Sequence, residues 1–130
     1  MACGILLITH PSIGQALLRV ATGLMKKLPL QVEAFEVDLD ANLTQLLPKA
    51  SAAMRRVDQG DGVLVLTDLY GASPSNLARL LTHVGTPIRR VSALSLPMLL
   101  RVMNYPNHTL TELSAIAAAG TCNGAIIDDA

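Results

Sequence analysis

Two short segments of the sequence carry side chains that could act together as a nucleophile and its partner. His10 follows the apolar run Gly4–Thr9, and Asp68 follows a second apolar run that ends at Thr67. A carboxylate that accepts a hydrogen bond from one imidazole nitrogen fixes the tautomer and leaves the other nitrogen free to attack. His10 is therefore the candidate nucleophile and Asp68 its partner, provided that the fold brings the two segments together.

Both segments are followed by residues that favour the start of a helix. Ser12 precedes one helical pattern, and Ser73 with Pro74 opens another, so each serine is expected to act as an N-cap. Free backbone N–H groups and the positive end of a helix dipole can hold a phosphoryl group. Neither segment contains Lys or Arg, so a phosphate bound here would depend on the helix ends.

A purely structural interpretation of these residues stays open from the sequence alone. A histidine at a strand end is often bonded to a neighbouring carbonyl, and a Ser-Pro pair often caps a helix for stability only. The other histidines, His83 and His108, fit a helix C-terminus and a solvated loop. The pairs Arg55-Arg56 and Arg89-Arg90 fit solvated surfaces, although they could also guide an acidic or phosphorylated partner.

Composition narrows the class of protein. The 130 residues contain ten Lys and Arg against ten Asp and Glu, a balance that does not favour nucleic acid as a partner. Only 2% of the residues are aromatic, which argues against stacking platforms for bases or flavin. Two widely separated cysteines, and the absence of a nucleotide or zinc motif, predict neither a metal nor a cofactor. We expect one cytoplasmic domain that covers residues 1–130, without a signal peptide or transmembrane helix.

The elements that must position His10 and Asp68 follow from the pattern of apolar residues. Strand-length runs alternate with helical segments, which predicts an α/β fold with a parallel sheet. Two of these runs, residues 5–8 and 63–66, are apolar throughout and are expected as central strands with helices on both faces. Right-handed crossovers then give a three-layer, doubly wound sheet. Its strand ends meet at one edge, where His10 and Asp68 would face each other.

The remaining segments are less regular. Pro48 is expected to restrict the second helix to residues 48–58. Residues 109–112 are a capping box that opens a helix expected to end at Gly120. Residues 122–128 have the length and content of one more strand, whose direction and partner the pattern leaves open.

Three motifs together resemble those of a known family. They are Thr9-His10 at the end of the first strand, residues 62–76 with the run Asp68-Leu-Tyr-Gly-Ala-Ser-Pro-Ser-Asn, and residues 96–99, Leu-Pro-Met-Leu. The chain resembles, over essentially its whole length, the mannose-type enzyme IIA domains of the bacterial phosphoenolpyruvate-dependent sugar phosphotransferase system.

The resemblance implies a phosphotransferase function and a set of partners. His10 would accept a phosphoryl group from the carrier HPr and pass it to a IIB component for sugar uptake, with Asp68 orienting the ring. It implies four parallel strands in the order 2-1-3-4, and a last antiparallel strand, residues 122–128, exchanged in a homodimer. Contact with the membrane would be indirect, through permease subunits. The residues expected to bind phosphate are Thr9, Ser12, Gly71, Ala72 and Ser73.

The sequence departs from the family at positions that bear on phosphate binding. The family often has Gly where this chain has Pro11 and Ala72. If the backbone at Ala72 must adopt a positive φ, alanine would cost about 1 kcal/mol relative to glycine. Pro11 removes one N–H donor near His10. Two alternatives to a transport role are a regulatory phosphoprotein that uses the same histidine, and a flavodoxin-like ligand-binding module.

Overall fold

A four-stranded parallel sheet organises the molecule, whose computed structural model describes residues 2–129. The strands are β1 (Gly4–Thr9), β2 (Val32–Glu36), β3 (Val63–Thr67) and β4 (Ile88–Val91). They lie in the order β2-β1-β3-β4, and every neighbouring pair is parallel. The α/β class and the strand order 2-1-3-4 are therefore confirmed.

Five α-helices among the described residues cover both faces of this sheet. They are α1 (Ile13–Met25), α2 (Leu43–Val57), α3 (Ser73–Leu80), α4 (Leu96–Met103) and α5 (Leu110–Asn123), with a 3₁₀ turn over Leu81–His83. One apolar core packs β1 and β3 against α1, α4 and α5, and a second core packs the opposite face against α2 and α3. Two cores on one sheet make the fold doubly wound.

The two central strands are the ones that the continuous apolar runs predicted. Every residue of β1 and β3 is buried, whereas β2 and β4, at the edges, are only partly buried. Consecutive side chains of a strand point to opposite faces, so a strand covered on both sides must be apolar throughout. The carboxyl ends of β1 and β3 consequently lie side by side on a rigid, buried support.

Helix α2 begins earlier than Pro48 predicts. Asn42 caps the helix by accepting a hydrogen bond from the Gln45 N–H, and Pro48 lies inside the helix. Proline removes one helical hydrogen bond, but the cap and the burial of Ala53 and Met54 against the sheet offset that loss. The prediction of a helix over residues 48–58 was therefore too short at its start.

The end of the chain also differs from the sequence-based expectation. The capping box of Thr109 and Glu112 opens α5 as predicted, but the helix continues through Gly120 to Asn123. An added Cβ at Gly120 would lie 3.0 Å from the Met98 Cα, so this glycine permits close packing of α5 on α4 and does not end the helix. The strand predicted over residues 122–128 does not form within the single chain: Cys122 and Asn123 belong to α5, and residues 125–128 have no regular structure. The exchange of this segment between two subunits stays a prediction.

Within residues 2–129, every helix is too short or too polar to cross a lipid bilayer.

Candidate active site

His10 and Asp68 meet where β1 and β3 end. Ile8 of β1 pairs with Thr67 of β3, so the two loops that follow start from adjacent positions. The His10 Nδ1 lies 2.7 Å from the Asp68 Oδ2. The backbone N–H of His10 donates to the same oxygen at 3.0 Å. The structure therefore brings together the two side chains that the sequence singled out.

This geometry defines the chemistry of the imidazole ring. A carboxylate oxygen can only accept, so Nδ1 carries the proton that it donates to Asp68, and Nε2 keeps its lone pair. The side chain of His10 is 22% exposed, while that of Asp68 is 9% exposed. The ring can thus be reached from solvent although its partner is buried. Among the described residues, the second carboxylate oxygen, Oδ1, is buried without a hydrogen-bond partner.

Thr9 fixes the backbone of the loop between β1 and α1. Its side chain is fully buried. The hydroxyl donates to the His10 carbonyl at 2.8 Å and accepts from the Gly14 N–H at 2.9 Å. An added Cβ at Gly14 would lie 3.0 Å from this hydroxyl, so glycine permits the close approach. With its hydroxyl engaged in this way, Thr9 serves to position the His10 backbone.

Ser12 precedes α1 but does not cap it with its side chain. Its backbone has a φ of 72°, and its side chain makes no capping hydrogen bond. The Ile13 N–H donates to the His10 carbonyl at 3.4 Å. The expectation of a serine N-cap was wrong here, and the exposed hydroxyl of Ser12 is left available.

The loop between β3 and α3 places its positive φ on glycine. Gly71 has a φ of 86°, whereas Ala72 is extended with a φ of −83° and is the N-cap residue. The strain considered for Ala72 therefore does not arise. Ser73 is the first helical residue, so its expected capping role was also wrong. The Asn76 side-chain amide donates to the Gly71 carbonyl at 3.4 Å and helps to hold the turn.

Few polar groups of the two loops are free to bind an anion. The Ala72 N–H already donates to the Leu69 carbonyl at 3.3 Å. The N–H and hydroxyl of Ser73, and the hydroxyl of Ser12, have no partner within the part of the chain that the structure describes. Free amides at a helix start suit an anion. The β3–α3 loop thus offers the stronger anion-binding groups.

Exposed apolar side chains near His10 were not predicted from the sequence. Leu39 follows β2, and Leu69 and Tyr70 follow β3, with exposed fractions of 80%, 59% and 75%. Since β1 lies between β2 and β3, the loops that carry these residues leave the sheet on either side of the loop that carries His10. Apolar residues in two loops at one sheet edge were the available signal. Large exposed apolar side chains around a reactive group are typical of a protein-docking surface.

We expect Gly71→Ala to reduce the free energy of unfolding by about 1 kcal/mol, because only its positive φ disfavours alanine. An added Cβ would meet no atom within 4 Å, so crowding does not contribute. Urea denaturation measures the change. Gly23→Ala is the matched control, since an added Cβ there also meets no atom within 4 Å but its φ is not positive. An equal loss of stability in the two variants would contradict this account.

The fold and the site define an α/β protein with a histidine hydrogen-bonded to a buried carboxylate at the carboxyl ends of its central strands, and comparison with known proteins gives its family. The chain belongs to the family EIIA-man, described as PTS system fructose IIA component, whose pattern matches residues 4–118.

Two curated relatives are similar to parts of the chain. The transcriptional regulatory protein LevR of Bacillus subtilis (strain 168) is 29% identical over 114 residues, which are 87% of this chain and 12% of that protein. The putative phosphotransferase enzyme IIA component YadI of Escherichia coli (strain K12) is 37% identical over 51 residues, which are 39% of this chain and 35% of that protein. The chain thus spans a small part of the length of either relative.

A solved structure has the same fold over its whole length. The mannose/sorbose specific IIA subunit of the phosphotransferase system from Enterococcus faecalis superposes with a TM-score of 0.86. The match covers 100% of this chain and 97% of that one, at 21% sequence identity.

Proposed function

We propose that this protein is a phosphoryl carrier in which His10 accepts a phosphoryl group from HPr and passes it to a IIB component. The observation that carries the proposal is the 2.7 Å contact between the His10 Nδ1 and the Asp68 Oδ2, which leaves Nε2 as the free nucleophile. Membership of the family supports the same assignment. Under this proposal the protein acts in the cytoplasm as a homodimer.

The reaction is a transfer between two imidazoles. The lone pair of His10 Nε2 attacks the phosphorus of phosphorylated HPr in line, and a new P–N bond forms as the old one breaks. The released electron pair stays on the imidazole of HPr. The His10 ring becomes cationic, with its proton still on Nδ1, and the adjacent carboxylate of Asp68 stabilises that charge. The reverse sequence of bonds delivers the phosphoryl group to IIB.

The groups that stabilise the transferred phosphoryl oxygens come from both loops. We assign direct contacts to the hydroxyl of Ser12 and to the N–H and hydroxyl of Ser73. Gly71 and Ala72 shape the turn that aims Ser73. Thr9 acts indirectly, because its buried hydroxyl holds the His10 backbone. Catalysis of this kind depends on positioning and electrostatics more than on covalent chemistry by the protein.

The surface around His10 suits a protein donor. Leu39 lies on the β2 side of the histidine, and Leu69 and Tyr70 lie on the β3 side. A partner whose own phosphohistidine lies within an apolar surface could cover all three side chains while it reaches Nε2. Excluding water from the contact would also protect the phosphoryl group from hydrolysis.

The test is incubation with phosphoenolpyruvate, enzyme I and HPr, followed by intact-mass measurement. We expect the parent protein to gain one acid-labile phosphoryl group and His10→Ala to gain none. His83→Ala and His108→Ala are the matched controls and should be modified like the parent. An unmodified parent would refute the proposal, and a modified His10→Ala would place the acceptor elsewhere.

A regulatory role is the second candidate. It is favoured by the similarity of 87% of this chain to a segment of a transcriptional regulatory protein. The chemistry at His10 would be the same, but the phosphoryl group would signal to another protein and would not be passed to a sugar permease. Adding a purified IIB component to the phosphorylated protein separates the two roles. Rapid loss of the phosphoryl group to IIB supports transport, and retention supports regulation.

A further inference from the structure

A polar cavity lies beside the candidate active site, between β4 and α3. Its volume is about 320 Å³, which is within the range of small-molecule sites. Side chains that carry a positive charge or a hydroxyl group dominate its lining, namely Thr67, Tyr70, Ser75, Arg79, Arg90 and Ser92. Of these side chains, the proposed function uses only Tyr70, which belongs to the surface that a donor would cover.

The alternation of β4 explains why one arginine of a pair faces this cavity. Ile88 packs in the core under α2 and α3, so Arg90 lies on that same face of the sheet. Arg89 points the other way and donates to the Thr111 hydroxyl of α5 at 3.3 Å. The two adjacent arginines thus serve opposite faces of the sheet.

Helix α3 supplies the opposite wall. Ser75, Ala78 and Arg79 follow one another at helical spacing, which puts them on one side of α3. This side faces Thr67, which shares the face of the sheet that carries Arg90. Helix and sheet therefore bring two guanidinium groups to one cavity.

The positive charge of this cavity is not neutralised within the protein. Arg79 and Arg90 form no ion pair within residues 2–129, and no Asp or Glu is among the residues that line the cavity. Two like charges in one concave site repel each other unless an anion lies between them. The cavity is therefore electrostatically complementary to a small anion.

Two largely buried residues add unpaired hydroxyl donors to this cavity. Thr67 is 3% exposed and Ser75 is 6% exposed, and both line the cavity. Their hydroxyls have no hydrogen-bond partner among the described residues, yet neither is sealed off from solvent. Hydroxyls that are open to a cavity and not used by the protein can donate to an acceptor that binds there. Phosphoryl oxygens would satisfy both of them.

We propose that this cavity binds a small phosphorylated metabolite through its phosphoryl group. A planar guanidinium group can donate two parallel hydrogen bonds to two oxygens of one phosphate. The hydroxyls of Thr67 and Ser75 can donate to the remaining phosphate oxygens. Thr67 and Tyr70 line the cavity, and Asp68 lies between them in the chain. A bound ligand would therefore contact the segment that holds the partner of His10. The cavity would allow a metabolite to be sensed next to the phosphoryl acceptor.

The test uses inorganic phosphate as the probe and His10→Ala as the background, so that transfer chemistry plays no part. Amide chemical shifts are followed by NMR during a phosphate titration at constant ionic strength. We expect saturable shifts at Ser75 and Ser92. Arg79→Ala and Arg90→Ala should each weaken binding by about ten-fold or more, because each removes charge-assisted hydrogen bonds.

Arg89→Ala is the matched control, because this neighbouring arginine lies on the other face of the sheet. It removes the same charge, and the affinity for phosphate should stay within about two-fold of that of the His10→Ala background. A charge outside the site, screened by salt, should have no larger effect. Arg79 and Arg90 are exposed, so their replacement should preserve the fold, which the thermal unfolding midpoint checks. Shifts that fail to saturate, equal weakening by Arg89→Ala, or equally tight binding of acetate would each overturn the proposal.

Discussion

Replacing Asp68 by alanine is expected to slow phosphorylation of His10 by about 10³–10⁴-fold, the scale on which an imidazole depends on its carboxylate. The substitution removes the acceptor of the Nδ1 proton, so the ring is free to carry its proton on Nε2. It also removes the negative charge that stabilises the cationic ring during transfer. Single-turnover transfer from phosphorylated HPr measures the rate.

Asp68→Asn separates these two effects. The backbone N–H and the Nδ1 of His10 both donate to one oxygen, so the amide oxygen of asparagine can take that place. The tautomer is then kept and only the charge is lost, for which we expect a slowing of about 10²-fold. Imidazole ¹⁵N shifts should show the parent tautomer in Asp68→Asn and a mixture in Asp68→Ala.

Asp61→Ala is the control for the loss of a carboxylate elsewhere. Asp61 is exposed and precedes β3, at the sheet edge opposite His10, so its removal should leave the transfer rate unchanged. Parent-like transfer in Asp68→Ala would contradict the assigned role.

Replacing Gly4 by alanine should cause the largest loss of stability, about 3 kcal/mol. Gly4 begins β1, and the last turn of α2 packs directly on it. An added Cβ would lie 2.5 Å from the carbonyl carbon of Val57 and closer still to its oxygen. These are backbone atoms, so the clash can be relieved only by moving the helix or the central strand. Urea denaturation measures the change.

Gly23→Ala is the matched control for that substitution, with the opposite expected sign. Gly23 lies near the end of α1, is exposed, and has no atom within 4 Å of an added Cβ. Alanine should therefore stabilise the protein by about 0.5–1 kcal/mol through helix propensity. A loss of less than about 1 kcal/mol in the free energy of unfolding of Gly4→Ala would contradict this account, because it would show that α2 can move away from β1 at little cost.

Much of the framework could be predicted because it depends on short-range patterns. Continuous apolar runs identified β1 and β3 as the central strands, and their adjacency made the meeting of His10 and Asp68 predictable. The capping box at Thr109 was also correctly recognised, because its reciprocal hydrogen bonds require only a fixed spacing of residue types.

The features that were missed depend on tertiary contacts. Ser12 and Ser73 are residues of a type that often caps helices, but neither side chain caps one here. Ser12 has a positive φ, and α3 begins at Ser73, so that Ala72 is the N-cap residue. Gly120 looked like a helix end, but the approach of α4 requires glycine within the helix. The partnership of Arg79 with Arg90 depends on how α3 lies across the sheet, which no local pattern encodes.

The absence of lysine and arginine from the two loops around His10 has a consequence for the order of encounters in the proposed cycle. A phosphoryl group brings a charge of about −1.5 to −2, and the cationic ring of phosphorylated His10 offsets only part of it, because neither loop contains Lys or Arg. The rim of the site is thus much more negative when loaded than when empty. A donor that prefers the empty rim would leave after delivery, and an acceptor that prefers the loaded rim would arrive only then. The change in electrostatic potential at the site could in this way set the order in which the phosphoryl donor and the phosphoryl acceptor bind.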